Sequence, residues 1–377
     1  MKGKERRSQV WRDRLNVSGC VTALYKEAEP GPGPAGMFRD IVMAKPTLHT
    51  VAAHAGVSIA TVSKVVNGVR QGISEATLEK VQASVRLLGY RPNRAGRGLR
   101  TLRRSIVGMA IVDPSPTFLA DPFTTQLVAG LSNHLSDRGF GLLLHGIKPG
   151  QVRESFLVKE SVVDGLCLLL SGPVGQRQEK ARMFADLGQP IVVFQETPID
   201  GLADACFIGQ DDAAGAEALA DLVLKRQPKT ALIVIPETVW PAIDIRLRTL
   251  LKALAGVATT VLRCDESDPD AIAGAIAAHI EGQGLPDVLL GGNDRIASVA
   301  LRQLRVRGVR VPEDVGVTGF NAFPSSDYAG LNLTTVRSAA YALGELGGQQ
   351  MLERLQSGRF DAARHTLAVE LVPGGTL

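Results

Sequence analysis

Residues 51–68, with the sequence VAAHAGVSIATVSKVVNG, decide the fold of the first part of the chain. Apolar residues recur at helical spacing in the first half of this stretch, and Gly56 then permits a sharp turn. Ser58 is a favoured N-cap for a second helix, which ends at Asn67-Gly68. The pattern therefore predicts two short helices joined by a tight turn, the geometry of a helix-turn-helix.

A third helix is expected directly afterwards. Ser74 predicts its start and Gly89 its end, so residues 47–90 should form a compact unit of three helices. The second helix would expose side chains that suit DNA: hydroxyl and ammonium groups for phosphates, and small apolar groups for thymine methyls. The alternative for this segment alone is a plain three-helix bundle with no nucleic-acid role. The exposed set comprises Ile59, Ala60, Thr61, Ser63 and Lys64.

Positive charge is concentrated around this unit. Residues 43–105 contain eleven Lys or Arg and only two Glu, although the formal net charge of all 377 residues is +4. Residues 106–377 are therefore net acidic. A basic module attached to an acidic body predicts that the module alone binds a polyanion.

The N-terminal 42 residues differ in composition from the helical unit. They contain the stretch EPGPGPAG, which is unsuited to a helix or a strand. We expect residues 1–42 to be a flexible extension, or to result from a start codon assigned too far upstream. Residues 43–90 would then be the helical domain, and the polar, arginine-rich residues 91–104 a segment that is disordered on its own.

From Ser105 onward the pattern changes to short apolar runs separated by helical stretches. Runs such as SIVGMAIV, VDGLCLLL and KTALIVI are typical of strands buried on both faces. Their alternation with helices predicts parallel, doubly wound sheets, and about eight such repeats suggest two lobes. The expected division places residues 105–205 and 322–336 in one lobe, and residues 206–321 and 337–377 in the other.

The complete motif resembles the lactose-repressor (LacI/GalR) family of bacterial transcription regulators. It runs from Thr47 through AGVS and TVSKVVNG to LGYRPN and the final R-x-L-R at Arg100. The resemblance implies an all-α helix-turn-helix domain followed by an α/β periplasmic-binding-protein-like core of two doubly wound lobes. It further implies that residues 91–104 form a hinge that folds on operator DNA, with Leu99 wedged into the minor groove. The implied DNA-binding residues are Thr47, Ser58, Ile59, Ala60, Thr61, Ser63, Lys64, Asn67, Tyr90, Asn93, Arg97, Leu99 and Arg100.

The resemblance also implies a ligand site between the lobes, where the ends of parallel strands open onto a cleft. Asn321 stands where the family usually has Asp, so the ligand could differ from the usual neutral sugar. An arginine among amide and carboxylate groups suits a sugar or a sugar acid. The implied effector-binding residues are Asp121, Phe123, Ser171, Gln195, Arg246, Asn293 and Asn321.

The partners that this resemblance implies are a pseudo-palindromic operator duplex and a second copy of the chain, since a two-fold operator matches a homodimer. Repression is the family default. The alternative is a DNA-binding regulator that answers to a protein partner, or that has no effector.

Other functional classes of protein fit the sequence less well. The chain has no nucleotide-binding or hydrolase motif, and Cys167, the one candidate nucleophile, falls inside an apolar strand. A transport binding protein would share the core but not the basic helical unit. The four scattered cysteines predict reduced structural thiols rather than a metal or disulfide framework. The charged N-terminus and the absence of a long apolar run predict a cytoplasmic location, with the protein associated with the nucleoid.

Overall fold

The computed structural model describes residues 46–90, 104–323 and 332–377. Contacts divide the chain into two compact units, with the boundary between Pro92 and Asn93. The predicted extension, residues 1–42, lies outside the described residues, as does the predicted hinge except for Arg104.

The first unit is the predicted set of three helices. They are α1 (Leu48–Ala55), α2 (Ile59–Val66) and α3 (Glu75–Leu87). Hydroxyl side chains cap each one, because the oxygens of Thr47, Ser58 and Ser74 accept hydrogen bonds from backbone N–H groups three residues on. The turn between α1 and α2 passes through Gly56 at φ 67°, a conformation that a residue without a Cβ adopts at low cost.

The core of this unit is small. Val51, Ala52, Val62 and Val81 are buried in it, and so is Tyr90 at 8% exposure. The structure therefore places Tyr90 in the core rather than on an open DNA-facing surface, where the sequence reasoning had put it. The aromatic ring closes the apolar interior that the three helices share.

The second unit alternates strands and helices, as predicted. Two 3₁₀ segments, Phe118–Ala120 and Pro149–Glu154, also occur. The strands of its described part are β1 (Ile106–Val112), β2 (Gly141–Ile147), β3 (Gly165–Leu170), β4 (Ile191–Phe194), β5 (Ala205–Gln210), β6 (Thr230–Pro236), β7 (Ala258–Cys264), β8 (Val288–Gly291), β9 (Gly316–Thr318), β10 (Thr335–Arg337), β11 (Arg364–Leu367) and β12 (Glu370–Val372). The helices are α4 (Pro122–Asp137), α5 (Phe156–Lys159), α6 (Val174–Ala185), α7 (Asp212–Leu224), α8 (Pro241–Ala253), α9 (Pro269–Gln283), α10 (Asp294–Val306) and α11 (Ala340–Ser357).

The strands form two parallel sheets and one small antiparallel pair. The first sheet has the order β11-β5-β4-β3-β1-β2, and the second has the order β7-β6-β8-β9. Each sheet contributes to apolar clusters that its own helices cover, so the core consists of two lobes. The pair β10-β12 packs against α7 in the second lobe.

The predicted division between the lobes is wrong. Strand β5 pairs with β4 in the first sheet, and β11 pairs with β5 from the C-terminal part of the chain. Helix α11 packs on α4, so residues 340–367 belong to the first lobe and not to the second. Conversely, β10 lies with the second lobe. Pairing between strands that are far apart in sequence decides to which lobe each segment belongs. Local sequence patterns do not contain that information.

In its described part, the chain crosses between the lobes after β5, after β10 and after β11. These crossovers are bonded to one another. The N–H of Asp211 donates to the carbonyl of Leu367, at 2.9 Å. The side-chain oxygen of Gln210 accepts from the Ser338 hydroxyl and from the N–H of Ala339, each at 2.9 Å. A change at one crossover therefore reaches the other two.

Glycines allow α4 and α11 to approach very closely. A Cβ added at Gly344 would lie 2.0 Å from the carbonyl oxygen of Leu127, and one added at Gly130 would lie 2.0 Å from that of Tyr341. Both obstacles are backbone atoms, which cannot rotate away. The two glycines therefore set the distance between the helices.

We expect Gly344→Ala to destabilise the first lobe by about 1–3 kcal/mol, because a methyl group forced against backbone separates the helices. Gly274→Ala on α9 is the matched control, since a Cβ there meets nothing within 4 Å. That control should stabilise the protein by up to about 1 kcal/mol through helix propensity. Urea unfolding of both variants measures the difference, and equal effects of the same sign would show that the close approach does not matter.

Candidate functional sites

In the first unit, α2 presents the side chains predicted to contact DNA. Ala60 and Lys64 are exposed, Ile59 is 39% exposed, and Thr61 and Ser63 are half-buried. The hydroxyls of Ser58 and Thr61 lie 2.9 Å apart, and the amide of Asn67 donates to the Ser63 oxygen at 3.3 Å. These contacts preorder the polar side chains along one helix, which suits phosphate and base-edge contacts.

The remaining predicted DNA contacts have different outcomes. Thr47 is exposed, but its side-chain oxygen accepts from the Thr50 backbone and caps α1. Four more predicted residues, Asn93, Arg97, Leu99 and Arg100, lie outside the described residues.

In the second unit, two adjoining pockets form one cavity between the lobes, and the first has an open volume of about 530 Å³. Its walls come from the ends of strands and the beginnings of helices in both lobes. The predicted residues on its wall are Asp121, Phe123, Gln195, Arg246, Asn293 and Asn321. The seventh, Ser171, does not line it: its side chain is buried, and its hydroxyl donates to the Val112 carbonyl at 2.6 Å.

Arg246 is the anchor of the cavity wall. Its Nε donates to Asp212 at 2.7 Å, and its two terminal nitrogens donate to the Gly292 carbonyl and to Asn321, at 3.0 and 3.3 Å. The guanidinium also lies 3.6 Å from the centroid of the Phe320 ring. Of its five N–H groups, two make no hydrogen bond to described residues and are available to a ligand.

The partner of Arg246 links the cavity to a crossover. Asp212 is the first residue of α7, directly after the chain leaves the first lobe, and it is 2% exposed. Its carboxylate also accepts from Gln210 at 3.0 Å and from Gln195 at 3.4 Å. Because Gln210 bonds to the second crossover, one connected network joins the cavity wall to the segments between the lobes.

Carboxyl groups from both lobes also line the cavity. Asp121 caps α4, accepting from the N–H groups of Phe123 and Thr124. Glu266 follows β7 in the second lobe, and the amide of Asn293 donates to it at 2.5 Å. Burial and the charge of Asp121 raise the pKa of Glu266 to about 7. Burial also raises the pKa of Asp113, a third carboxyl in the same cavity.

Several wall residues were not predicted from the sequence, among them Asp113, Trp240 and Glu266. Trp240 immediately precedes α8 and packs against apolar clusters of both lobes. Its position just beyond the end of β6 was the available signal, because parallel strands end at the cleft. Glu266 occupies the equivalent place beyond β7, where an acidic loop residue gives no reason to expect a half-buried carboxyl at the cavity.

We expect Glu266→Gln to stabilise the protein more at pH 8 than at pH 5. A carboxyl whose folded pKa is above its usual value of 4.5 contributes stability at low pH and loses it as pH rises toward 7. Glutamine keeps the oxygen that Asn293 contacts and carries no charge. Thermal unfolding of both proteins across this range measures the effect, and a melting-temperature difference independent of pH would contradict it.

Other site types lack support in residues 46–90, 104–323 and 332–377. No group of three or more His, Cys, Asp or Glu is arranged there to hold a metal ion. Cys167, Cys206 and Cys264 are buried thiols outside any disulfide, and burial raises the pKa of each. None of the helices described is both long and apolar enough to span a bilayer.

Two family patterns match the chain, one in each unit. The pattern described as "Bacterial regulatory proteins, lacI family" matches residues 47–93, which include α1, α2 and α3. The pattern described as "Periplasmic binding protein-like domain" matches residues 210–377. The first covers the helical unit, and the second covers the C-terminal part of the two-lobed unit.

Curated relatives match along most of their length. The chain is 28% identical to "HTH-type transcriptional regulator CelR" of Thermobifida fusca over 340 residues, which is 87% of this chain and 97% of that protein. It is 27% identical to the "Ribose operon repressor" of Escherichia coli strain K12, over 88% of this chain and 99% of that protein.

Solved structures share the architecture. A "transcriptional regulator CelR-cellobiose complex" superposes with a TM-score of 0.60 at 26% identity, covering 88% of this chain and 100% of that one. A lac repressor dimer bound to operator and the anti-inducer ONPF superposes with a TM-score of 0.74 at 23% identity, covering 88% of this chain and 98% of that one. At that identity, the second likeness concerns the fold alone.

Proposed function

The chain belongs to the lacI family of bacterial regulatory proteins, a family of sequence-specific DNA-binding transcriptional regulators, and from that premise we propose that it is a metabolite-controlled repressor. Residues 43–90 bind operator DNA, residues 91–104 form the hinge, and residues 105–377 bind the effector and dimerise. Residues 1–42 precede the functional domains. The protein acts in the cytoplasm, where its operator lies.

The observation that carries this proposal is the connection between the cavity and the crossovers. Arg246 faces the cavity and is bonded to Asp212, which begins the segment after the first crossover. A ligand that contacts Arg246 and Asp121 bridges the two lobes, and it favours whichever arrangement of the crossovers keeps both contacts. Such coupling suits a sensor whose readout is the spacing of two DNA-binding units.

The proposed ligand class rests on the cavity and on the relatives. One relative is the ribose operon repressor of Escherichia coli, and one solved structure of a relative is a complex with cellobiose. The present cavity combines an aromatic side chain, Trp240, with amide, carboxylate and guanidinium groups, a composition that suits a polyhydroxylated ring. We therefore assign it a sugar or sugar derivative rather than a protein partner.

We also propose a homodimer. Each sheet ends in an edge strand with half-buried apolar side chains: Leu142 and Leu144 on β2 in the first lobe, and Val261 and Leu262 on β7 in the second. Edge strands whose apolar side chains are only partly covered invite pairing with another chain. Two copies joined along these edges would present two DNA-binding units to a pseudo-palindromic operator.

The test is DNA selection followed by a truncation. Random duplex is enriched on the full chain at moderate salt, and the recovered sequence is compared with scrambled duplex by gel shift. We expect a symmetric site, bound at least about 1000-fold more tightly than scrambled sequence. Removing residues 1–104 should eliminate this binding. Equal affinity for both duplexes, with and without sugars, would contradict the proposal.

A further inference from the structure

The cavity between the lobes has an excess of negative charge. Asp113 and Asp121 line it from the first lobe, and Asp265, Glu266 and Asp294 line it from the second. The charge of Arg246 is balanced within the wall, since both it and Asp212 are nearly fully buried and lie 2.7 Å apart. Arg295 also lines the cavity, and its charge lowers the pKa of Glu266; it is an exposed residue at the start of α10 and donates to the Ser267 carbonyl.

Two of these carboxylates lie on opposite lobes. Asp121 is fixed at the beginning of α4 in the first lobe, and Glu266 is held by Asn293 in the second. Burial raises the pKa of Glu266, and the charge of Asp121 raises it further, so having both groups ionised across the cleft is unfavourable. Closing the lobes around a ligand requires this repulsion to be neutralised by a proton or a cation.

The cavity wall also offers hydrogen-bond donors. Asn321 is 8% exposed and lines both pockets, and its amide nitrogen has no hydrogen-bond partner among the described residues. Two N–H groups of Arg246 are also available there. Neutral hydroxyl oxygens suit these donors, because Asp212 already supplies the negative charge that Arg246 requires. Trp240 adds an aromatic surface for a ring.

We propose that the effector is an amino sugar, whose ammonium group lies between Asp121 and Glu266 while its hydroxyls accept from Arg246 and Asn321. The ammonium cancels the repulsion between the lobes, so binding and closure occur together. A sugar acid or sugar phosphate would bring a further negative charge next to these acidic side chains and is disfavoured. This inference rests on the proposed effector site and narrows its ligand to one chemical class.

The experiment uses the full chain and two matched series of sugars. The first is glucosamine, glucose and glucuronate, and the second is galactosamine, galactose and galacturonate. Isothermal titration at pH 6.5 measures each affinity. We expect one amino sugar to bind at least tenfold more tightly than its neutral counterpart, and the acid of that series to give no detectable heat. The inference is overturned if a neutral or acidic sugar binds most tightly. It is also overturned if no amino sugar binds.

Proton release provides a second readout. An ammonium group beside Glu266 stabilises the charged carboxylate, whose pKa of about 7 leaves it largely protonated at pH 6.5 without ligand. Amino-sugar binding should therefore release a fraction of a proton per site, seen as a heat that differs between buffers of different ionisation enthalpy. Buffer-independent heat counts against the assigned position of the ammonium.

Two variants test whether the ammonium group of the ligand lies beside Glu266. Glu266→Gln should reduce the preference for the amino sugar at least tenfold. Glu217→Gln removes the same charge from an exposed position on α7, outside the cavity, and should leave the preference unchanged. An unaltered preference in Glu266→Gln overturns the assignment.

Operator binding, measured on the same preparation, separates this inference from the proposed function. A protein that binds its operator and releases it with a neutral sugar remains a metabolite-controlled regulator but has no amino-sugar specificity. A protein that binds no operator fails the proposed function, whatever its sugar preference.

Discussion

Replacing Val62 with Asp is expected to abolish operator binding while leaving the two-lobed unit folded. Val62 is fully buried in α2, within a core of only a few side chains from three short helices. A unit of about 45 residues has a free energy of unfolding of roughly 2–7 kcal/mol. A carboxylate placed in such a core costs a comparable amount or more, so the helical unit should unfold.

The measurement combines DNA binding with unfolding. Gel shift on the selected operator should show affinity reduced at least about 100-fold, since each 1.4 kcal/mol corresponds to a factor of ten. Leu87→Asp is the control, because Leu87 lies on α3 of the same unit and is 72% exposed. It should bind nearly as well as the parent chain. The thermal transition of the two-lobed unit should be the same in both variants; a transition lost in Val62→Asp would show that the units do not fold separately.

Local signals were sufficient for most of the secondary structure. Ser58 and Ser74 mark the beginnings of α2 and α3, because a hydroxyl N-cap acts within its own turn. The apolar runs of β1, β3 and β6 were likewise identifiable, since strands buried on both faces need continuous apolar sequence. These features depend on neighbours a few residues apart, which a single sequence contains.

Features that depend on distant neighbours were not predictable. Helix α11 is not evident from the sequence, because Gly344, Gly347 and Gly348 lower its helix propensity. The reason for glycine at these positions is visible only in the packing. Gly344 meets the backbone of α4, and Gly347 lies against the ring of Phe194. Likewise, β5 belongs to the first sheet because β11 returns from the end of the chain to pair with it.

The cavity shows the same limit on what the sequence predicts. Asn293 and Asn321 follow strand ends and line the cavity, as the position of polar residues beyond a parallel strand predicts. Ser171 also follows a strand, but its hydroxyl turns back to the Val112 carbonyl. Sequence position thus locates a residue at the sheet edge without fixing the direction of its side chain. The network around Asp212 depends on three separated segments, and its existence could not be inferred from any one of them.

Arg246→Ala is expected to eliminate the effector response and to destabilise the protein. The substitution removes two N–H groups that face the cavity, and it leaves Asp212 buried with its two glutamine donors but no countercharge. Breaking a buried pair by deleting one partner costs about 3–5 kcal/mol. The loss of stability and the loss of response therefore share a cause, and a further variant is needed to separate them.

Arg246→Lys makes that separation. Lysine keeps a positive charge near Asp212, but it has no planar group to bond Gly292 and Asn321 at the same time or to stack on Phe320. It should recover much of the melting temperature while its operator complex still fails to respond to the sugar. Arg248→Ala, at an exposed position on the same helix, should leave both properties unchanged.

Operator binding with and without the sugar, measured by fluorescence anisotropy, distinguishes two roles for Arg246. If Arg246→Lys binds the sugar at least tenfold more weakly, the guanidinium contacts the ligand directly. If it binds the sugar normally but no longer releases DNA, the guanidinium acts through Asp212 on the crossover, because ligand contact and interlobe coupling have then been separated. A full response in Arg246→Ala would remove this residue from both roles, and with it the connection between cavity and crossover on which control of the operator depends.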